Sequence, residues 1–340
     1  MKYKLLGHSG LKVSQLCLGT MGFGTEWGWG IDEKASFEIL DAFAQAGGNF
    51  IDTANRYTEG SSEKIIGNYL RQHDRDFFVV ASKYTLHDNT TNPNASGNSR
   101  KNMMRSVEQS LQRLQTDFID VFYLHVWDAL TPIDEVLRGL DDLVTQGKVN
   151  YIAISDTPAW IVSQAQTMAT LRGWNRLVAL QIEYSLLQRT PERDLIPMAK
   201  AMGLTVTPWA PLAGGALTGK YLQGNKGRLP ENSKRLNPHG EKITREVMAI
   251  AQELGVSAGQ VALQWTMAQD FASIPIVGAT KLTQLLENIQ AIHVQLSPEH
   301  LQRLHAVSAI ELGFPHDFFN EAGVRQVTYG GFYDSIERTK

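Results

Sequence analysis

The chain of 340 residues lacks the features that mark several classes of protein. Its one cysteine, Cys17, excludes a disulfide bond within the chain and is typical of a reducing compartment. Basic residues are not in excess, because 32 Lys and Arg face 35 Asp and Glu, so no phosphate backbone is expected as a partner. No apolar run spans a membrane, and the N-terminus has no apolar signal core. We therefore expect a cytoplasmic protein that binds neither nucleic acid nor membranes.

Common cofactor and metal signatures are also missing. No Gly-x-Gly-x-x-Gly follows the first barrel strand, so the fingerprint of a Rossmann dinucleotide site is absent. The segment 214–220 approaches a phosphate-binding P-loop, but Tyr221 stands where Ser or Thr would bind magnesium. There is no His-Glu-x-x-His, no cysteine pair and no calcium-binding loop, and we predict no metal site.

What the sequence does contain is an alternation of short apolar runs and amphipathic helices. Residues 3–14 predict a β-hairpin, and runs near 16–19, 50–52, 77–83, 119–124, 149–154, 178–182, 204–208 and 273–276 predict eight buried strands. Extra helices are predicted over 241–254, 257–268, 283–292 and 298–310, before an aromatic tail from residue 313. Eight such units favour an α/β fold, a (β/α)8 TIM barrel in one domain over 1–340. The alternative is a doubly wound sheet with an appended domain.

Polar side chains close three consecutive predicted strands, at Asp52, Lys83 and His125. The carboxyl ends of barrel strands gather catalytic groups, so Lys83 is expected to pair with Asp52. An ammonium beside Tyr57 would lower the pKa of that phenol and make it a general acid, while His125 would bind a carbonyl oxygen. Each residue alone has an ordinary structural explanation, as a helix cap, a surface lysine, a core histidine or a packing tyrosine. Their occurrence in barrel order favours catalysis.

The segment from Asp52 to Gly67 resembles the active-site segment of the aldo-keto reductases. In that family an Asp closes the second barrel strand, Thr-Ala follows, and a Tyr stands five residues after the Asp. The resemblance extends from about residue 3 to residue 310 and implies a catalytic tetrad of Asp52, Tyr57, Lys83 and His125. It also implies NADPH-dependent reduction of a small-molecule aldehyde or ketone to an alcohol, or the reverse reaction. It leaves the oligomeric state open.

The same resemblance implies a site for NADP(H). Ser155, Asp156 and Gln181 stand where the family binds the nicotinamide carboxamide, with Asp156 in place of the usual Asn, and Tyr184 matches the aromatic residue that stacks on the nicotinamide. Lys281 is available for the 2′-phosphate, or is simply a solvated lysine at a helix start. The other implied contacts are Gly19, Thr20, Met21, Trp209, Ala210, Pro211, Leu212, Ala213, Gly214, Leu217, Lys220, Gly278, Thr280, Gln284, Glu287 and Asn288.

Two other functions remain compatible with the sequence. Lys83 could form a Schiff base in an aldolase, although a paired Asp52 would keep it charged. Some relatives of the reductases are slow-turnover, cofactor-binding regulatory subunits. Four aromatic side chains are predicted on loops above the site, at Trp27, Trp29, Tyr84 and Trp127. They favour an apolar or aromatic carbonyl substrate.

Overall fold

The strands form a hairpin and a barrel. A computed structural model describes residues 1–230 and 232–337, so residue 231 and the last three residues of the predicted domain lie outside it. Strands β1 (Tyr3–Leu5) and β2 (Lys12–Ser14) pair antiparallel, as the sequence predicts. The barrel strands are β3 (Cys17–Gly19), β4 (Phe50–Asp52), β5 (Val79–Tyr84), β6 (Ile119–Leu124), β7 (Val149–Ser155), β8 (Ala179–Glu183), β9 (Thr205–Trp209) and β10 (Ile276–Gly278).

The sheet of eight strands has the order β10-β3-β4-β5-β6-β7-β8-β9, and every pair in it is parallel. Its two edges meet through the segment before β10. The backbone N–H of Val206 donates to the carbonyl oxygen of Ala272 over 2.8 Å, and the N–H of Ile274 donates back to Val206 over 3.0 Å. This closure confirms the predicted (β/α)8 barrel.

Helices surround the barrel and continue into the tail. They are α1 (Glu33–Gln45), α2 (Ser61–Leu70), α3 (Arg100–Leu114), α4 (Ile133–Thr145), α5 (Ala159–Arg172), α6 (Leu195–Met202), α7 (Pro238–Leu254), α8 (Ala258–Met267), α9 (Leu282–Gln290), α10 (Pro298–Val307), α11 (His316–Asn320) and α12 (Ala322–Tyr329). Asp32 caps α1 as predicted. The sequence predicted the tail as aromatic and Gly-rich, without α11 and α12. No helix within residues 1–230 or 232–337 is long and apolar enough to cross a membrane.

Successive residues of each strand alternate between the barrel interior and the helix layer. Along β5, Val79 and Ala81 pack in the interior, whereas Val80 and Tyr84 belong to the larger core between sheet and helices. Lys83 continues the inward series of Val79 and Ala81 and is fully buried. The alternation therefore aims the polar residue at the end of the strand into the barrel mouth, where the site lies.

Candidate active site

The centre of the site is the ammonium group of Lys83. Its Nζ donates to Asp52 Oδ2 over 2.7 Å, to the carbonyl oxygen of Thr53 over 2.8 Å and to the hydroxyl of Tyr57 over 3.1 Å. The Lys83 side chain is 0% exposed and the Asp52 side chain 4%. A buried charge is costly without partners, and these contacts supply them. The structure thus brings Asp52, Lys83 and Tyr57 together at the carboxyl ends of β4 and β5.

The contacts decide which groups carry a proton. Burial lowers the pKa of Lys83, but Asp52 and Tyr57 raise it, and the net pKa lies above its usual value, so Lys83 is charged. Burial also raises the pKa of Tyr57, and although Lys83 opposes this, the net shift is upward. The prediction that the pKa of Tyr57 is lowered is therefore wrong, because the effect of burial on the phenol is larger than the effect of the Lys83 ammonium. Tyr57 is protonated at neutral pH, which is the form that can donate a proton.

His125 follows β6 and faces the same tyrosine. The ring centroids of His125 and Tyr57 are 5.8 Å apart, with an angle of 79° between the ring planes. Burial lowers the pKa of His125 well below its usual range, and Lys83 lowers it further. A neutral imidazole has one N–H to donate. Among the described residues Nδ1 has no hydrogen-bond partner. The imidazole can therefore donate to a carbonyl oxygen placed beside Tyr57.

A buried asparagine that the sequence did not single out holds His125 in place. Asn98 Nδ2 donates to Thr85 Oγ1 over 2.9 Å and to the carbonyl oxygen of Val126 over 3.0 Å. Thr85 Oγ1 in turn accepts from the backbone N–H of His125 over 3.3 Å. Asn98 also exchanges two hydrogen bonds with Asp128, of 2.7 and 2.8 Å. The polar loop before α3 therefore fixes the end of β6.

Two predicted cofactor residues lie beside the Asp52 carboxylate. Gln181 Nε2 donates to Asp52 Oδ1 over 2.9 Å, and Ser155 pairs with Gln181 in the register of β7 and β8. Ser155 Oγ is buried and has no partner among the described residues. Thr20 Oγ1 donates to the carbonyl oxygen of Asp52 over 2.9 Å. Ser155 thus presents a free polar atom to the mouth, whereas Gln181 is already engaged with the Asp52 carboxylate.

Asp156 stands at the mouth in a strained conformation, with φ of 40°. Its Oδ1 accepts from Trp209 Nε1 over 3.0 Å, and its backbone N–H donates to the carbonyl oxygen of Gln181 over 3.1 Å. Partial burial raises the pKa of Asp156 above its usual value, while Trp209 and Lys83 act against that shift. A carboxylate therefore faces the same opening as Lys83 and Tyr57.

Two predicted aromatic residues do not reach the site. Tyr184 is fully buried, stacks on Trp265 at 5.3 Å and donates its hydroxyl to Glu192 over 2.7 Å. Tyr84 is also fully buried and stacks on Phe122 at 5.5 Å. Successive residues of a strand point alternately into the barrel and toward the helices, and both tyrosines fall on positions that point toward the helices. Tyr184 has no face for a nicotinamide, and Tyr84 has none for a substrate. Trp209 is the half-buried aromatic residue at the mouth.

The other aromatic residues predicted above the site do lie in loops and are partly accessible. Trp27 Nε1 donates to Glu59 Oε1 over 3.0 Å, and the Trp27 and Trp29 rings are 6.0 Å apart. Trp29 is 37% exposed, and Trp127 is half-buried after β6. The Arg228 guanidinium lies 4.4 Å from the centre of the Trp29 ring. Trp29 therefore joins the loop after β3 to the loop after β9.

The loop after β9 is a curved, basic segment. Ala210, Ala213, Gly214 and Gly215 all have positive φ, and a short 3₁₀ turn runs over Ala213–Thr218. Trp209 ends β9, and the first half of the loop contains the other predicted residues, Ala210, Pro211, Leu212, Ala213, Gly214, Leu217 and Lys220. Partial burial and the charge of Arg235 lower the pKa of Arg228, and Lys220 stands over the Tyr221 ring at 5.0 Å. Sequence reasoning missed Arg228. Cations crowded in this way favour an anionic ligand.

The predicted adenosine end follows β10. Gly278 pairs with Gly19 in the register of β10 and β3. The predicted residues Thr20 and Met21 directly follow Gly19 in the chain. The backbone N–H of Thr280 donates to Gln284 Oε1 over 3.1 Å, and Lys281 is exposed at the start of α9. Of the last predicted residues, Glu287 is exposed and Asn288 is buried. The described residues contain no group of three or more His, Cys, Asp or Glu placed to hold a metal ion.

Comparison with known proteins identifies the family of the chain. The sequence pattern of the aldo/keto reductase family matches residues 15–309. The chain belongs to the aldo/keto reductase family. It is 37% identical to the NADP(+) aryl-alcohol dehydrogenase of Phanerodontia chrysosporium, over 96% of this chain and 91% of that protein. It is 36% identical to norsolorinic acid reductase of Aspergillus flavus, over 93% and 83%. This aldo/keto reductase is therefore an oxidoreductase.

Proposed function

We propose that this aldo/keto reductase catalyses the NADPH-dependent reduction of aldehydes or ketones to alcohols, and the reverse oxidation, with Tyr57 as the general acid. The observation that carries the proposal is the position of Lys83 Nζ, within hydrogen-bond distance of both Asp52 Oδ2 and the Tyr57 hydroxyl. A buried acid–base group with a charged neighbour is typical of a catalytic centre.

Four residues have separate roles in the proposed reaction. A bound reduced nicotinamide supplies the hydride. Tyr57 donates its proton to the carbonyl oxygen, and Lys83 stabilises the phenolate that remains, because an ammonium favours the charged form of a neighbouring acid. His125 donates an N–H to the same oxygen and orients the substrate. Asp52 keeps Lys83 charged. In the oxidation direction Tyr57 accepts the proton.

The chain's own residues fit a nicotinamide dinucleotide. To the amide end, Ser155 offers a buried oxygen that has no partner within residues 1–230 and 232–337, and Asp156 offers a carboxylate. Lys220 and Arg228 would hold the phosphates, since the mutual repulsion of Arg228 and Arg235 is relieved by an anion. Lys281 would contact the 2′-phosphate. Gln181 would keep its contact with Asp52 rather than bind the amide.

The substrate proposed is an aromatic carbonyl compound or alcohol. The named relatives act on aryl alcohols and on norsolorinic acid. Trp27, Trp29 and Trp127 supply partly exposed aromatic surface near the mouth, which suits a flat apolar ligand. A cytoplasmic location and one domain over residues 1–340 complete the proposal, the former because the only cysteine cannot form a disulfide within the chain.

The test is the oxidation of NADPH by the purified chain with substituted benzaldehydes, with aliphatic aldehydes as the comparison. Turnover with the aromatic series would support the proposal. Binding of NADPH without turnover across both series would instead identify a regulatory subunit. Borohydride trapping of a carbonyl substrate on Lys83 would identify an aldolase, but the raised pKa of Lys83 and its three hydrogen bonds oppose that chemistry.

Lys281→Ala is expected to weaken NADPH binding by roughly threefold to tenfold and to leave NADH binding unchanged, because only NADPH carries the 2′-phosphate. The effect is small since Lys281 is exposed, and it should shrink further at high salt. Dissociation constants of both cofactors, measured by fluorescence titration, check this. Lys281→Arg is the control that keeps the charge. Equal NADH and NADPH affinity in the wild type would leave Lys281 as a solvated lysine at the start of α9.

Asp156→Asn is expected to weaken NADP⁺ binding relative to NADPH by roughly threefold to tenfold, a change that corresponds to about 1 kcal/mol of lost charge interaction. A carboxylate at the mouth favours the positively charged oxidised nicotinamide, and Asn keeps an oxygen for the Trp209 N–H. The ratio of the two dissociation constants measures this. Lys281→Ala serves as the control because it should affect both redox forms alike. An unchanged ratio in Asp156→Asn would place Asp156 away from the nicotinamide.

A further inference from the structure

The turn that follows Tyr57 has an unusual backbone. Thr58 has φ of 46° and ψ of 49°, and Glu59 has φ of 55° and ψ of 30°. Gly60 continues the series with φ of 88°. Side chains other than Gly rarely adopt this left-handed conformation, and two in succession need a stabilising contact. The strained residues lie directly beside Tyr57, so whatever holds them also fixes the course of the chain at the phenol.

The hydroxyl of Thr58 provides that contact. Thr58 is fully buried, and its Oγ1 donates to the carbonyl oxygen of Phe23 and accepts from the backbone N–H of Ser62 over 3.2 Å. It therefore joins the loop after β3 to the first turn of α2. The Thr58 side chain packs closely against the loop after β3, because a Cβ added to Gly24 would lie 2.8 Å from the Thr58 Cβ.

The same group of hydroxyls reaches the end of β4. Ser62 Oγ lies 2.8 Å from Thr20 Oγ1 and 2.9 Å from Thr53 Oγ1. Thr20 Oγ1 donates to the backbone carbonyl of Asp52, the residue that binds Lys83. The turn after Tyr57 and the backbone of Asp52 are thus joined by one buried network, which fixes the chain at both partners of Lys83.

We propose that Thr58 is a positioning residue of the active site: its hydroxyl holds the left-handed turn that keeps the Tyr57 hydroxyl 3.1 Å from Lys83 Nζ. The proposal rests on the proposed function, since it assigns Thr58 a task in the acid–base step of Tyr57. Without the hydroxyl, the carbonyl of Phe23 and the N–H of Ser62 lose their partner, and the turn is free to relax toward a right-handed conformation.

A displaced Tyr57 would have a different proton affinity. The titratable and charged groups that face the phenol are Lys83, Asp52, His125, Asp156 and Arg228. Lys83 is the neighbour that most opposes the rise in the Tyr57 pKa caused by burial, whereas Asp52 and Asp156 add to that rise. Increasing the distance between Tyr57 and Lys83 therefore moves the pKa of Tyr57 further upward. Alcohol oxidation requires the phenolate, so the limb in which its rate rises with pH should shift to higher pH.

The experiment compares Thr58→Val, Thr58→Ser and Thr58→Gly. Val keeps the shape and removes the hydroxyl, Ser keeps the hydroxyl, and Gly removes the backbone strain together with the hydroxyl. We expect kcat to fall roughly 10- to 100-fold in Val, as for a misplaced catalytic group, and to fall less in Gly, which adopts the left-handed turn without the hydroxyl. In Val we also expect a higher pKa for the limb in which alcohol oxidation rises with pH, and little change in the NADPH dissociation constant. Ser should have near wild-type values.

Three results would overturn the proposal. They are a Val variant with wild-type kcat and pH profile, a Val variant that is only less stable, and a Ser variant as impaired as Val. If Val does not fold, Ser and Gly decide, since Ser keeps the hydroxyl and Gly adopts the left-handed turn without it. A Ser variant whose kcat falls about 10-fold or more, or a Gly variant as impaired as is expected for Val, would then overturn the proposal. Normal activity of Tyr57→Phe would instead contradict the proposed function itself, and this keeps the two failures distinguishable.

Discussion

Tyr57→Phe is expected to lower kcat for aldehyde reduction by roughly 10²–10⁴-fold, the usual contribution of a positioned acid. The substitution removes one oxygen and keeps the ring that faces His125 at 5.8 Å. Lys83 retains its contacts with Asp52 and Thr53, so the buried ammonium stays partnered. The dissociation constant of NADPH should therefore stay near its wild-type value. Stopped-flow or steady-state rates together with a cofactor titration measure both quantities.

A matched control is Tyr3→Phe, which removes a single hydrogen bond of 3.0 Å to the carbonyl oxygen of Gly47 at the N-terminal hairpin, far along the chain from the tetrad. It should leave kcat unchanged, because no catalytic group depends on it. A Tyr57→Phe variant with near-normal turnover would remove the phenol from the mechanism and leave His125 as the remaining candidate for the acid.

The proximity of Asp52, Lys83 and Tyr57 could be predicted from sequence because it follows from local rules. A run of apolar residues that ends in Asp52 or Lys83 identifies both the strand and the polar group at its carboxyl end. Once the strands are parallel neighbours, those ends meet, and β4 and β5 are indeed adjacent in the barrel. The contacts among Asp52, Lys83 and Tyr57 required no knowledge of distant loops.

Tyr184 and Tyr84 were predicted at the site but are buried away from it, because the prediction did not take the alternation of side chains along each strand into account. In β8, Gln181 points into the barrel, so Tyr184, three residues later, belongs to the opposite series and packs on Trp265. In β5, Lys83 points inward, and Tyr84 must therefore point outward. Counting residues along each strand would have selected Trp209 as the aromatic residue at the mouth.

Other features have no local signal at all. The role of Asn98 depends on contacts with Thr85, which follows β5, and with Val126 and Asp128, which follow β6. Arg228 reaches the site only because the loop after β9 folds back onto Trp29. The direction of the Tyr57 pKa shift likewise depends on a balance between burial and Lys83 that is set by the folded packing. Such features require the tertiary structure.

Removing either partner of the buried Lys83–Asp52 ion pair should have a large effect on both activity and the free energy of unfolding. Lys83→Met leaves Asp52 buried with its contact from Gln181 but no cation, which typically destabilises a protein by about 3–5 kcal/mol. Asp52→Asn leaves Lys83 with Thr53 and Tyr57 as its acceptors. Lys83→Met removes the ammonium that stabilises the Tyr57 phenolate, and Asp52→Asn removes the charge that raises the pKa of Lys83 against burial. In both variants either activity is abolished or the pH at which Tyr57 releases its proton rises. The pH–rate profile of alcohol oxidation and the free energy of unfolding measure the two consequences.

The pH dependence of the free energy of unfolding tests whether Lys83 is held charged by Asp52. In the wild type the pKa of Lys83 is raised on folding, so its stabilising contribution is fully present below the unfolded value of about 10.4 and is lost as the pH rises through the folded value. In Asp52→Asn burial acts with little opposition and lowers that pKa, so the stability of this variant relative to the wild type should increase as the pH rises toward about 10.4. The double variant Asp52→Asn/Lys83→Met should be more stable than the sum of the single changes predicts, because it leaves no unpaired charge. Additive losses of stability, together with an unchanged pH–rate profile in both single variants, would contradict a functional pairing of Lys83 with Asp52.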